Sequence, residues 1–219
     1  MKRYLLSICL IALILSSYTF ADDCPEGINL LPMYGRAKKC PGQIKADNAF
    51  LKLADSNYKD RKQAAKYFVN RAWGFYYQNK PDTAMMRFNQ AWLLDSLNAN
   101  VYWGFANLVG AQGKFKESLP LFNHAIQLDS SNAKLWESAS NSYGNLYFKT
   151  RETTYLNAAI KYLKKAIALD PQVRTYISLT AAYANFTKKD SAIKYMHITD
   201  GLDKTAIDPK LRQHINKQL

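Results

Sequence analysis

The stretch RFNQAWLLDSLNANVYWGFA at residues 87–106 returns as LFNHAIQLDSSNAKLWESAS at residues 121–140. Eight of the twenty aligned positions coincide at a fixed offset of 34 residues, among them Phe88 and Phe122, Asn89 and Asn123, Ala91 and Ala125, and Asp95 and Asp129. A period of this length marks a chain built from one supersecondary unit repeated, each copy burying its apolar side against the next. A single closed core gives no reason for the same spacing to return.

The unit can be read from its spacings. Ala91-Trp92-Leu93-Leu94-Asp95, Ala125-Ile126-Gln127-Leu128-Asp129 and Ala166-Ile167-Ala168-Leu169-Asp170 are three copies of one helix ending. Phe88, Phe122 and Leu163 stand three residues before the alanine, and Ala84, Ser118 and Ala159 stand seven before it, so all share one helical face. The other half of the unit places two small or apolar residues between two bulky ones. Phe68-Arg71-Ala72-Phe75, Tyr102-Phe105-Ala106-Val109, Trp136-Ala139-Ser140-Tyr143 and Tyr176-Leu179-Thr180-Tyr183 follow it, the small third position letting two helices approach closely. Breaks fall at Asn79-Lys80-Pro81-Asp82, at Gly113 and at Thr187-Lys188-Lys189-Asp190.

These residues resemble the tetratricopeptide repeat (TPR), whose 34-residue helix-turn-helix unit carries W-x2-L-G-x2-Y followed by A, F, A and P. The phrase AMMRFNQAWLLD with the following YWGF resembles exported bacterial TPR proteins. The implied fold class is all-α, a right-handed α-solenoid with capping helices. The expected organisation is a signal peptide over 1–21, an irregular segment over 22–42, an N-terminal capping region over 43–62, about four repeats over 63–204 and a C-terminal capping helix over 205–219. Three departures stand out. Arg71 occupies an apolar register position, serine replaces the terminal proline in the first two units, and the fourth unit's second helix, with Ala192, Met196 and Thr199, is degenerate. The third unit is seven residues too long within YFKTRETTYLNA. Extension of both its helices by about one turn is the favoured reading, and a projecting hairpin that meets a partner is the alternative.

Lys2 and Arg3 precede an apolar run, Leu5 to Leu15, too short to span a bilayer, and Thr19-Phe20-Ala21 offers small residues where a signal peptidase reads. The expectation is an exported, periplasmic or secreted chain starting at Asp22 with no transmembrane span after cleavage; an uncleaved anchor is the alternative. Cleavage removes Cys9 and leaves Cys24 and Cys40, which an oxidising compartment can join across a segment rich in proline and glycine. Two free thiols are the alternative. Zinc fits neither their spacing nor the absence of a nearby histidine.

The charge left after cleavage, 28 basic against 17 acidic residues, is concentrated from Lys149 onward, with 13 basic and 6 acidic. A basic end of this kind suits acidic proteins, anionic envelope polymers or lipid head groups, whereas nucleic acid is a poor default partner outside the cytoplasm. Catalytic groups are scarce. His124, His197 and His214 stand in different units without a nucleophile or metal partner pattern, Asp95, Asp129 and Asp170 read as turn formers, and no Gly-rich phosphate loop occurs. No cofactor and no metal are expected.

The resemblance implies a concave face lined by the first helix of each unit, where a protein or peptide partner lies. Its groove positions map to Lys66, Val69, Asn70, Trp73, Tyr76 and Tyr77, then Asn100, Trp103, Gly104 and Asn107, then Lys134, Glu137, Ser138, Asn141, Asn145, Arg174, Ile177 and Asn185. Within that set the expected contacts are the aromatics Trp73, Tyr77 and Trp103, the amides Asn70, Asn107, Asn141 and Asn145, and the cations Lys66 and Arg174, placed to hold a terminal carboxylate. Packing of Trp73 and Trp103 against each other is the competing reading, and Trp92 and Trp136 are expected in the core. The function expected is a non-catalytic adaptor in the bacterial envelope; the alternative is a binder of an anionic polymer or membrane surface through the basic C-terminal face.

Overall fold

The computed structural model describes residues 24–185 and 188–217, so the expected leader over 1–21 and Thr187 lie outside the described residues. Among the described residues ten α-helices follow one another: α1 Pro41–Asn57, α2 Arg61–Tyr77, α3 Pro81–Leu94, α4 Ala99–Ala111, α5 Phe115–Leu128, α6 Ala133–Thr150, α7 Thr153–Leu169, α8 Val173–Asn185, α9 Lys189–Leu202 and α10 Pro209–Lys217. The described residues hold no strand. Helices α2 with α3, α4 with α5, α6 with α7, and α8 with α9 form hairpins that stack in chain order. The result is an α-solenoid of helix-turn-helix repeats.

The repeated residues explain the turns. Inside a hairpin, Asn79 and Gly113 take left-handed φ values of 56° and 75°. These let Lys80 N–H reach Phe75 O at 2.9 Å and Lys114 N–H reach Val109 O at 3.3 Å, closing the helix end. Between hairpins, the Asp95 and Asp129 carboxylates accept from Leu97 and Ser131 N–H at 3.2 and 3.1 Å. Three residues after each aspartate, Asn98 and Asn132 cap the next helix by accepting from Asn100 and Lys134 N–H, each at 3.1 Å. These recurring polar residues therefore satisfy backbone groups that a helix end leaves open.

The apolar register builds the core. Ala72, Ala106, Ser140 and Thr180 are buried where paired helices meet, as are Ala84, Ser118 and Ala159 opposite them and the rings of Phe88 and Phe122. Gly104 is required by contact rather than by backbone angle: a Cβ there would meet Phe88 Cζ at 2.1 Å. Arg71 breaks the register. Its counterparts Phe105, Ala139 and Leu179 are all 0% exposed, while Arg71 itself is exposed. Trp92 and Trp136, expected in the core, are only half-buried. Each packs on the core with its rings and keeps its indole N–H bonded, to Tyr102 Oη at 3.1 Å and to Ser130 O at 3.0 Å.

The seven extra residues of the third unit lengthen both helices. α6 and α7 run 18 and 17 residues against 13 and 14 for α4 and α5, and they turn at Arg151, whose φ is 61°. No separate hairpin projects.

Both ends are covered. α1 starts at Pro41, and Asp60 accepts from Gln63 N–H at 2.8 Å to start α2, so Arg61 and Lys62 join the array's first helix rather than the capping region. Phe50 of α1 meets Phe68 edge-on at 5.2 Å between ring centroids. The segment before α1 is tied by a disulfide between Cys24 and Cys40 and lies on α3. There the fully buried Asn89 donates to Asn29 O and Leu31 O, each at 2.9 Å, and accepts from Tyr34 N–H at 3.2 Å.

At the other end α10 buries Ile215, and Arg212 donates to Asp200 of α9 at 2.8 Å. That hydrogen bond, aided by the charges of Arg212, His197 and Lys204 and opposed by slight desolvation, lowers the Asp200 carboxyl below its ordinary value. A lowered folded-state pKa gives stabilisation that is complete above the unfolded value, roughly 4, and lost as pH falls through the lower folded value. The amides of α10 should therefore lose hydrogen-exchange protection in that acidic window. Asp200→Asn should already show the weaker protection at neutral pH and remove the dependence.

Candidate functional site

The first helices of the hairpins, α2, α4, α6 and α8, carry the expected groove positions, with α2 touching α4 and α4 touching α6. The two halves of the array differ. In the N-terminal half the chain's own aromatics occupy the groove: Trp73 and Trp103 lie 4.6 Å apart between ring centroids, and Trp73 also packs on Tyr76, Tyr77 and Phe88 at 5.3, 5.9 and 5.4 Å. The Trp103 indole N–H donates to Ser138 Oγ at 3.0 Å, tying α4 to α6. Both tryptophans are half-buried. The two indoles therefore meet as the competing reading has it, tilted at 56° to each other, because ring contact between adjacent repeats takes apolar surface out of water, and each keeps part of its surface exposed.

The remaining expected site residues divide the same way. Lys66 and Asn70 are exposed, and Tyr77 is 77% exposed, on α2. Asn107 is half-buried and donates to Trp103 O at 2.8 Å, which places it in the aromatic cluster's support. Arg174 is paired with a residue of the preceding repeat: its Nε and Nη2 donate to Glu137 at 2.8 and 2.9 Å, which raises the guanidinium pKa, while 58% of its side chain stays exposed. Val69 is 6% exposed and Gly104 is sealed beneath Phe88, so neither lines the surface.

The C-terminal half stays open. Asn141 and Asn145 of α6 and Asn185 of α8 border a cleft of about 210 Å³ whose walls include Phe148, Leu163 and Ser178. The Asn145 and Asn185 amides each donate to the carbonyl four residues back, Asn141 O and Ala181 O, both at 2.8 Å. Held this way, each side chain is biased toward one rotamer and keeps its carbonyl oxygen to accept from a visiting N–H. Phe148, which sequence reasoning passed over, is 54% exposed beside them. Its signal was the insertion itself, since the residue lies in the extra turn of α6. Among the described residues no group of three or more His, Cys, Asp or Glu is placed to hold a metal ion, and no helix is long and apolar enough to cross a membrane.

Stacked helical hairpins of this length and order have counterparts among solved structures. YrrB, described as a TPR protein with an unusual peptide-binding site, aligns with a TM-score of 0.56 and 22% identity over 72% of this chain and 76% of its own. The chain has the TPR fold. PilF of Pseudomonas aeruginosa aligns with a TM-score of 0.60 and 20% identity, covering 73% of this chain and 69% of PilF. TTC0263, a thermophilic TPR protein of Thermus thermophilus, gives 0.57 and 17% over 70% and 80%. No protein-family model matches the sequence, and no curated protein matches it. At such identities the likeness speaks for the fold, and the functional argument for this TPR array rests on its own side chains.

Proposed function

We propose that this TPR array is a non-catalytic scaffold of the bacterial envelope that holds an extended segment of a protein partner in the C-terminal half of its groove. The observation that carries the reading is the pair of pre-fixed amides, Asn145 and Asn185, facing one cleft from adjacent repeats. An extended backbone presents N–H and C=O groups in alternation, and amides already oriented by a bond to their own helix bind it with less further loss of rotamer freedom. Phe148 supplies an apolar contact next to them, as aromatic anchors do at protein interfaces. The peptide-binding site described for YrrB supports the same class of ligand. The leader-like segment at 1–21 and the cysteine pair support export.

The test is selection of binders from a random peptide library on the immobilised protein, followed by anisotropy titration of the best peptide. Asn145→Ala/Asn185→Ala should weaken it by about tenfold or more, with the melting temperature little changed. Equal affinity for the double variant would overturn the reading. Binding that instead collapses between low and physiological salt, and that the asparagine changes leave alone, would point to the basic C-terminal face and an anionic polymer.

A further inference from the structure

We propose a second, independent ligand site at the N-terminal edge of the array, built to take a carboxylate borne on an aromatic or other apolar group. A cleft of about 280 Å³ opens between α1, α2 and α3. Phe50, Leu53, Tyr67 and Phe68 give it an apolar lining, and two guanidiniums, Arg71 and Arg87, stand at its wall. The volume is that of a fragment, about one aromatic residue, at the small end of ligand pockets.

Charge decides the class of ligand. Neither Arg71 nor Arg87 has a carboxylate within ion-pair distance among the described residues. The nearby acids are already engaged, Asp55 by Arg61 through two bonds of 2.9 Å and Asp47 by Lys39. Both guanidiniums are nonetheless held in place. Arg71 lies over the Tyr67 and Phe75 rings at 5.9 and 5.5 Å, and Arg87 donates to Gln90 Oε1 at 2.7 Å. Two positioned, unneutralised guanidiniums beside an apolar lining match a carboxylate in charge and fork geometry, and the aromatic walls match the group that carries it.

The repeat register makes the same point from another direction. Where the other three units bury Phe105, Ala139 and Leu179, this unit carries a charge at Arg71. The position is exposed here because no preceding repeat covers it, which leaves the Arg71 guanidinium accessible at the cleft.

The probes are N-acetyl-phenylalanine, its C-terminal amide and 3-phenylpropionate, titrated against the full chain by backbone-amide NMR. N-acetyl-phenylalanine should give saturable shifts at Ala54, Arg71 and Arg87, and the amide should bind about tenfold more weakly or worse. Arg71→Leu should abolish the carboxylate preference while leaving the melting temperature unchanged or raised, which a merely structural arginine would not do. Arg87→Gln should give the same loss, and it keeps the test open if the first variant folds poorly. If 3-phenylpropionate binds as well as the amino-acid derivative, a free carboxylic acid suffices as ligand; preference for the derivative marks a polypeptide C-terminus. Equal binding of acid and amide, retention of affinity in both variants, or no saturable shift with millimolar probe would each overturn the proposal. The groove variants Asn145→Ala and Asn185→Ala should leave these titrations unaltered, which separates the two sites.

Discussion

Phe88→Ala is expected to lower the unfolding free energy by about 3–5 kcal/mol, and Gly104→Ala by about 1–3 kcal/mol, yet the double variant should lose less than the two together. Phe88 is 0% exposed and reaches the α4 backbone where Gly104 lacks a side chain, so an added Cβ would lie 2.1 Å from its Cζ. On a solvent-facing helix the same glycine-to-alanine change stabilises by roughly 1 kcal/mol. Here the close approach of α3 to α4 reverses the sign. Once the ring is removed, the new methyl enters the space it left. Urea denaturation of the four proteins in a double-mutant cycle measures the coupling. Simple additivity, or a stabilised Gly104→Ala, would mean that the ring does not sit over the glycine.

Asn89→Ala should cost about 2–4 kcal/mol, because it strands the buried Tyr34 N–H and removes the partner of two part-buried carbonyls of the N-terminal segment, Asn29 O and Leu31 O. The repeat supplies its own control. Asn123 holds the same register position one unit later, is exposed, and accepts a single bond from Tyr162 Oη at 3.0 Å. Asn123→Ala should therefore change stability by about 0.5 kcal/mol or less. Hydrogen exchange at the Tyr34 amide should rise steeply in the first variant and stay unchanged in the second. Similar losses in both would show that the asparagine serves the helix rather than the segment laid across it. The segment needs this clasp: Met33, Tyr34 and Arg36 hold φ values near 54° to 55°, a left-handed backbone that L residues adopt only at a cost.

How far the sequence could be read depended on whether an effect was local. The alanine, phenylalanine and small-residue positions recur at spacings set by the helix itself, so their shared face and burial follow from the chain alone. The aspartate of each turn acts over two or three residues and was equally legible as a turn former, whereas the capping role of Asn98 and Asn132 emerged only with the structure. Trp73 and Trp103 were harder. Thirty residues apart and both at groove positions of the repeat, they could face a partner or each other, and only the stacking of α2 on α4 brings the indoles to 4.6 Å. The pairing of Arg174 was hidden for the same reason: Glu137 lies 37 residues earlier, and nothing local says that the two meet.

The sequence by itself determined the helical hairpin, its turns, its period and the positions that must be small or apolar, because each depends on contacts within one unit or on backbone geometry within a few residues. The tertiary structure decided which groove residues remain available, that Asn89 serves the N-terminal segment, and that Arg71 faces an aromatic cleft with no carboxylate partner among the described residues. Those outcomes arise from side chains on different repeats competing for one another, and the competition is settled by the stacking angle between hairpins, which a period of identical letters does not encode.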